Sequence, residues 1–210
     1  FCFCNFAFAN KNKMKSIVKK AVSNSLSYTE YRNLVAKFAD EGKTTGGIPT
    51  EDHIVFTKLN ETRMHRLDKT LQVTDETKSF LENLKKEYTW LVIAESWCGD
   101  AAQILPVINK MATVSDKINL RIVLRDDNEE LMNQFLTNST KSIPKLIIID
   151  KESNEVIADF GPRPIGAKQL ILDYKAEHGV VDETAKIELQ KWYLQDKGIS
   201  TQNEIVELMM

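Results

Sequence analysis

The chain has 210 residues, of which 42% are hydrophobic and 28% are charged. This length accommodates one good-sized domain with an extension and a substantial core. Its 28 basic and 30 acidic residues are well mixed along the chain, for a formal net charge of -2, which gives no electrostatic footprint for nucleic acid or anionic lipid. No apolar run approaches the roughly 18 residues of a membrane span, so the expected partners are small molecules or proteins.

The chain opens with FCFCNFAFANKNK, which consists almost wholly of Phe, Asn, Lys and Cys. We interpret residues 1–13 as a non-native or disordered leader and Met14 as the natural start. A cleaved signal peptide is the alternative. It is disfavoured because no basic residue precedes the apolar segment and no small-residue cleavage site follows it. A cytoplasmic location is therefore expected.

Residues 14–87 are predicted to form an N-terminal helical extension. Ser27 and Glu30 have the spacing of a capping box, which predicts a helix from that point to about Asp40. The stretch EGKTTGGIPTEDH, residues 41–53, carries paired glycines and a proline. It predicts a loop and is the best linker candidate in the chain.

Two further helices and then the first strand are expected after this loop. Asn60 and Thr74 are the predicted N-caps of the two helices. The continuous apolar run TWLVIAES, residues 89–96, is typical of a strand buried on both faces of a sheet. A helix is predicted over residues 98–112 and a second strand over residues 118–126.

The remaining elements are a hairpin and C-terminal helices. KLIIID and EVIADFG, joined by the turn residues KESN, predict a β-hairpin with a four-residue loop. Residues 179–210 are predicted to form helices, with Gly179 and Gly198 as C-cap residues and Asp182 as an N-cap.

The segment SWCGDA lies where a buried strand ends and a helix begins, and it closely resembles the WCGPC motif of thioredoxins. Pro106 stands where thioredoxins have a kinking proline, and Ile143 with Pro144 matches the hydrophobic residue and cis-proline facing the active site. AESWCGDAAQ, SIPKLIIID and GPRP together resemble a bacterial thioredoxin-like subfamily with CGDC and CGDA forms. The resemblance, over residues 88–178, implies an α/β thioredoxin fold: a central mixed sheet flanked by helices.

The same resemblance assigns the reactive role to Cys98, which a helix N-terminus would favour as thiolate. The negative charges of Glu95 and Asp100 are expected to oppose that effect. Ala101 replaces the second cysteine of the motif, and Val92 stands where thioredoxins bury an acid. Resolution of a mixed disulfide needs another thiolate, so dithiol reductase activity is not expected.

The residues that the resemblance implies for substrate binding are Trp97, Gly99, Asp100, Ile143, Pro144 and Arg163. Each has a structural alternative. Cys98 could be an inert buried residue, Trp97 a packing residue and Asp100 only a first-turn acid. Arg163 and Arg125 could bind a carboxylate such as that of glutathione, although solvation at the surface is the favoured interpretation.

Two functions follow from these residues. The leading hypothesis is a monothiol thioredoxin-like protein in which Cys98 attacks a protein disulfide or a small-thiol substrate and an external thiol resolves the adduct. No cofactor is expected except glutathione or another low-molecular-weight thiol as co-substrate. The alternative is a redox-inactive module that binds an extended peptide along Ile143, Pro144 and Trp97 by strand addition. His53, His65 and His178 lack ligand spacing, so no metal site is expected.

Overall fold

The computed structural model describes residues 2–210, with side chains described from residue 11 onward. Within this range the chain forms nine helices and four strands. In chain order they are α1 Cys2–Ser23, α2 Tyr28–Asp40, α3 Glu51–Thr70, α4 Asp75–Glu82, β1 Tyr88–Ala94, α5 Gly99–Ala112, β2 Ile118–Leu124, α6 Glu129–Met132, β3 Lys145–Asp150, β4 Glu155–Phe160, α7 Ile165–His178, α8 Glu183–Asp196 and α9 Ile199–Glu207.

The four strands form one mixed sheet in the order β2-β1-β3-β4. β1 is parallel to β2 and antiparallel to β3, so that Val92 lies opposite both Ile122 and Leu146. β3 and β4 form the predicted antiparallel hairpin. The apolar run of β1 is buried along almost its whole length, because it occupies the middle of a sheet with helices on both faces. The predicted α/β arrangement is confirmed.

The N-terminal helices begin at polar caps, one of which differs from the prediction. Ser27 and Glu30 form the predicted capping box of α2, and Thr74 caps α4 as predicted. Asn60 as an N-cap is wrong: it lies in the middle of α3, which begins nine residues earlier because the Thr50 side chain accepts a hydrogen bond from the backbone N–H of His53. The loop between α2 and α3 therefore covers residues 41–50 and is shorter than the predicted loop of residues 41–53.

Residues 2–13 lie in the first half of α1. Lys11 and Lys15 both contact the Glu155 carboxylate, at 2.8 Å and 3.1 Å, which attaches this helix to the start of β4. The interpretation of residues 1–13 as a non-native or disordered leader stays a prediction.

One hydrophobic core joins the helical extension to the sheet. Tyr31 of α2 and Met64 of α3 are almost fully buried, in the same cluster as Trp90 of β1 and Ile104 of α5. Burial of side chains of this size contributes about 1.5 to 3 kcal/mol each. The extension therefore supplies part of the core on which the site rests.

Among the C-terminal helices, α9 packs against α5 and α7 packs against α8. α7 ends with Gly179 as its C-cap and α8 begins after Asp182, as predicted. Gly198 as a C-cap is wrong: Lys197 is the C-cap of α8, and Gly198 is the N-cap of α9. Gly198 has φ +80°, and a Cβ there would lie 2.6 Å from Cγ2 of Val107, so the turn approaches α5 too closely for a side chain.

No helix among residues 2–210 combines the length and apolar character that crossing a membrane requires.

Candidate functional site

Cys98 is the N-cap of α5 and lies directly beyond the end of β1. Its sulfur accepts a hydrogen bond from the backbone N–H of Ala101 at 3.5 Å and donates one to the backbone oxygen of Ile143 at 3.3 Å. The Ile143–Pro144 peptide bond is cis. Cys98 is only 8% exposed. The sulfur is thus enclosed between the helix N-terminus and the loop that precedes β3.

Burial, the larger cause, and the negative charge of Asp100 together raise the pKa of the Cys98 thiol to about 12. Hydrogen bonds from the backbone N–H groups of Ala101 and Asp100 act in the opposite direction. The effects of the helix N-terminus and of the Asp100 charge, both expected from the motif, are therefore present. The enclosure of the sulfur, which the motif does not reveal, outweighs the helix terminus because a low-dielectric environment disfavours the charged form.

Asp100 holds a buried polar cluster beside Cys98. Its carboxylate lies 2.8 Å from Nη2 of Arg163 and accepts a 2.9 Å hydrogen bond from the hydroxyl of Tyr193. The favoured interpretation of Arg163 as a solvated surface residue is therefore wrong: its side chain is 29% exposed and forms an ion pair. Burial and the Asp100 charge raise the pKa of Tyr193. Its hydroxyl therefore stays protonated and can donate the hydrogen bond to Asp100. Sequence reasoning missed Tyr193 because no local motif marks it.

Trp97 has two partners that the sequence did not indicate. The ring of His53 stacks on it with the centroids 4.4 Å apart and the planes at 10°. The guanidinium of Arg125 lies 4.9 Å from the Trp97 ring centroid. Nε of Arg125 also donates to the Asp126 carboxylate at 2.7 Å, which lowers the pKa of that carboxyl. The carboxylate bound by Arg125 thus belongs to the protein itself.

A cluster of buried hydroxyl groups positions the residue before Trp97. The Ser96 hydroxyl lies 2.8 Å from the hydroxyl of Thr57 and 3.3 Å from that of Thr44, and accepts a hydrogen bond from the backbone N–H of Thr45. The Asn60 side chain donates to the backbone oxygen of Ser96 at 2.8 Å. The extension therefore holds the backbone at Ser96, next to Trp97 and Cys98, through contacts from α3.

Glu95 is a fully buried acid that sequence reasoning treated only as a nearby charge. Its Oε1 accepts a hydrogen bond from the backbone N–H of Asp126 at 3.0 Å, and its Oε2 has no partner among the described residues. Burial raises the pKa of this carboxyl. A buried acid is thus present near the site although Val92 is apolar.

A cavity of about 700 Å³ opens between α3, the N-terminus of α5 and α8. Five of the predicted site residues line it: Trp97, Cys98, Gly99, Asp100 and Arg163. Ile143 and Pro144 do not line it and are buried, although the Ile143 carbonyl contacts the sulfur. In the described part of the chain, no three His, Cys, Asp or Glu side chains are grouped so as to hold a metal ion.

A family model described as "Thioredoxin" matches residues 47–178, which is more than half of the chain. The chain belongs to the thioredoxin family. The matched region includes α3 and α4 as well as the sheet and α7. Among curated proteins, none matches this thioredoxin-family chain.

Two solved structures share the fold. A protein of unknown function from Pseudomonas aeruginosa is 18% identical, with a TM-score of 0.57 over 88% of this chain and 97% of that one. An HIV epitope-scaffold is also 18% identical, with a TM-score of 0.53 over 88% of this chain and 98% of its own. At this level of identity the likeness concerns the fold alone.

Proposed function

We propose that this thioredoxin-family protein is a redox-inactive binding module in which Cys98 is a neutral thiol in the wall of the binding cavity. The observation that carries the proposal is the hydrogen bond from the Cys98 sulfur to the Ile143 carbonyl oxygen. Only a protonated thiol can donate it. Burial also raises the pKa of this thiol to about 12, which favours the neutral form at neutral pH.

The cavity supports binding as the role of the site. Its volume of about 700 Å³ lies within the roughly 300 to 1,000 Å³ of small-molecule sites. The peptide-binding alternative based on Ile143, Pro144 and Trp97 has less support, because the first two are buried and only Trp97 lines the cavity. These observations support a ligand site between α3 and α8 rather than along the loop before β3.

Monothiol exchange through Cys98 is the second candidate, and one observation favours it. The sulfur lines the cavity and accepts the Ala101 N–H in the first turn of α5. In this reaction the Cys98 thiolate attacks a disulfide, forms a mixed disulfide and releases one thiolate. An external thiol such as glutathione then attacks the mixed disulfide and frees Cys98. In this hypothesis the chain is a cytoplasmic, bacterial monothiol protein that acts on a protein disulfide or a small thiol.

One experiment separates the two functions. In protein carrying Cys2→Ser and Cys4→Ser, Cys98 is the remaining thiol. It is incubated with glutathione disulfide near neutral pH and analysed by intact mass. We expect no adduct in the native protein and an adduct in urea, because unfolding exposes the sulfur and restores its ordinary pKa.

The control is the same protein with Cys98→Ala, which forms no adduct in either condition. If the native protein forms a glutathione adduct and this control does not, Cys98 carries out monothiol exchange. That result would contradict the proposal of a redox-inactive module.

A further inference from the structure

Large apolar side chains form much of the wall of the cavity beside Cys98. Those contributed by α3 and α8 are Phe56, Leu59, Ile187, Leu189 and Leu194. Leu59, Ile187 and Leu194 are between 42% and 59% exposed. Exposed apolar surface gathered at a cavity marks a place where another apolar group binds.

Two arginines on α3 line the same cavity without a carboxylate partner. Arg63 and Arg66 are three residues apart, so they lie on one face of the helix. Among the side chains that the structure describes, no carboxylate lies within 4.0 Å of either guanidinium. The other three cations of the wall are each paired: Arg163 with Asp100, Lys186 with Glu183 and Lys191 with Glu188.

Arg63 is held next to the N-terminus of α5. Its Nη1 donates to Oδ1 of Asn60 at 3.0 Å, and Asn60 in turn donates to the backbone oxygen of Ser96 at 2.8 Å. The same nitrogen lies 3.6 Å from where a Cβ on Gly99 would be. Burial lowers the pKa of Arg63, and the charge of Arg66 lowers it further. An anion between the two arginines would compensate both charges.

We propose that this cavity binds a small amphipathic carboxylate, with its head group between Arg63 and Arg66 and its apolar body against α3 and α8. This proposal rests on the proposed binding function and names its ligand class. An apolar body matches Phe56, Leu59 and Ile187, while the unpaired arginines select for negative charge. The volume of about 700 Å³ fits a small molecule rather than a folded partner.

The test is titration calorimetry of the full chain with octanoate, and with octan-1-ol and octylammonium as neutral and cationic probes of the same length. We expect one octanoate per chain, bound at least about tenfold more tightly than either of the other probes. Arg63→Gln and Arg66→Gln should each weaken octanoate binding at least about tenfold and leave octan-1-ol binding unchanged.

Lys58→Gln is the matched control, because Lys58 is an exposed cation of α3 that does not line the cavity. It should leave octanoate binding unchanged. Arg66 is exposed and donates no side-chain hydrogen bond among the described residues, so Arg66→Gln decides the matter if Arg63→Gln loses its fold. Absence of octanoate binding, binding insensitive to both arginines, or octan-1-ol binding as tight as octanoate would overturn the proposal.

The outcomes distinguish this proposal from the proposed function. A glutathione adduct on native Cys98 would contradict the redox-inactive function, and it would not affect the test of arginine-dependent octanoate binding. If Cys98 does not react and octanoate does not bind, the proposed ligand class is wrong and the proposed redox-inactive function is unaffected.

Discussion

The hydroxyl of Tyr193 donates a 2.9 Å hydrogen bond to Oδ1 of Asp100, which joins α8 to the first turn of α5. Both side chains are buried, and the Asp100 carboxylate also pairs with Arg163. α8 therefore forms one wall of the cavity and supplies one of the two partners of Asp100, the acid beside the thiol.

Tyr193→Phe should reduce the free energy of unfolding by about 1 to 3 kcal/mol, because it removes a buried hydrogen bond to a charged group. Urea denaturation measures the loss. Tyr174→Phe is the matched control: Tyr174 donates an equally long hydrogen bond to Asp182, but at the surface, and should cost less than about 0.5 kcal/mol. Equal losses in the two variants would contradict a buried role for the Tyr193 hydroxyl.

The buried thiol predicts a loss of stability at alkaline pH. The pKa of Cys98 is about 12 in the folded protein and about 8.5 in the unfolded chain. Between these values the unfolded chain binds fewer protons than the folded one, so the free energy of unfolding falls as pH rises. The loss due to Cys98 should reach about 1.4 kcal/mol at about pH 9.5.

Cys98→Ala isolates this effect, since other groups titrate in both proteins. The difference in unfolding free energy between wild type and variant, measured in urea with a reductant present, should shift by that amount between neutral pH and about pH 9.5. A difference that does not change with pH would mean that the folded thiol ionises as readily as the unfolded one.

Ser96→Ala should weaken the contacts between the N-terminal extension and the backbone that precedes Trp97 and Cys98. The substitution removes the acceptor of the Thr45 backbone N–H and a hydroxyl in contact with that of Thr57. Leaving buried groups unsatisfied costs about 1 to 3 kcal/mol. Faster hydrogen exchange at the Thr45 amide should accompany the loss. Ser79→Ala, on the exposed face of α4, should change neither quantity.

Gly46→Ala should disturb the surroundings of Trp97. Gly46 has φ +101°, and a Cβ there would lie 2.8 Å from Oδ2 of Asp126 and 3.3 Å from Nε1 of Trp97. Positive φ and this contact together should cost about 1 to 3 kcal/mol and change the tryptophan fluorescence. Gly47→Ala is the control, because a Cβ at Gly47 meets no atom within 4 Å. An unchanged fluorescence spectrum in Gly46→Ala would show that the loop accommodates the added methyl group without a change around Trp97.

Local signals account for the elements that were predicted correctly and for the main error. The Ser27 capping box and the Thr74 cap depend on residues within one helical turn, so the sequence reveals them. Asn60 has the chemistry of a cap, but its amide hydrogen-bonds the backbone of Ser96, 36 residues away in sequence. A side chain used for a long-range contact gives the same local pattern as one that caps a helix.

The sequence by itself determined the order of strands and helices along the chain, the place of Cys98 at the start of a helix and the absence of a second cysteine at Ala101. Apolar periodicity and a contiguous motif express these features over a few residues. Only the tertiary structure decided that Cys98 is buried with a raised pKa, that Arg163 is paired and that α3 and α8 enclose a cavity. Asp100 and Tyr193 are 93 residues apart in sequence, and burial and pKa depend on such packing between distant segments, which no local pattern encodes.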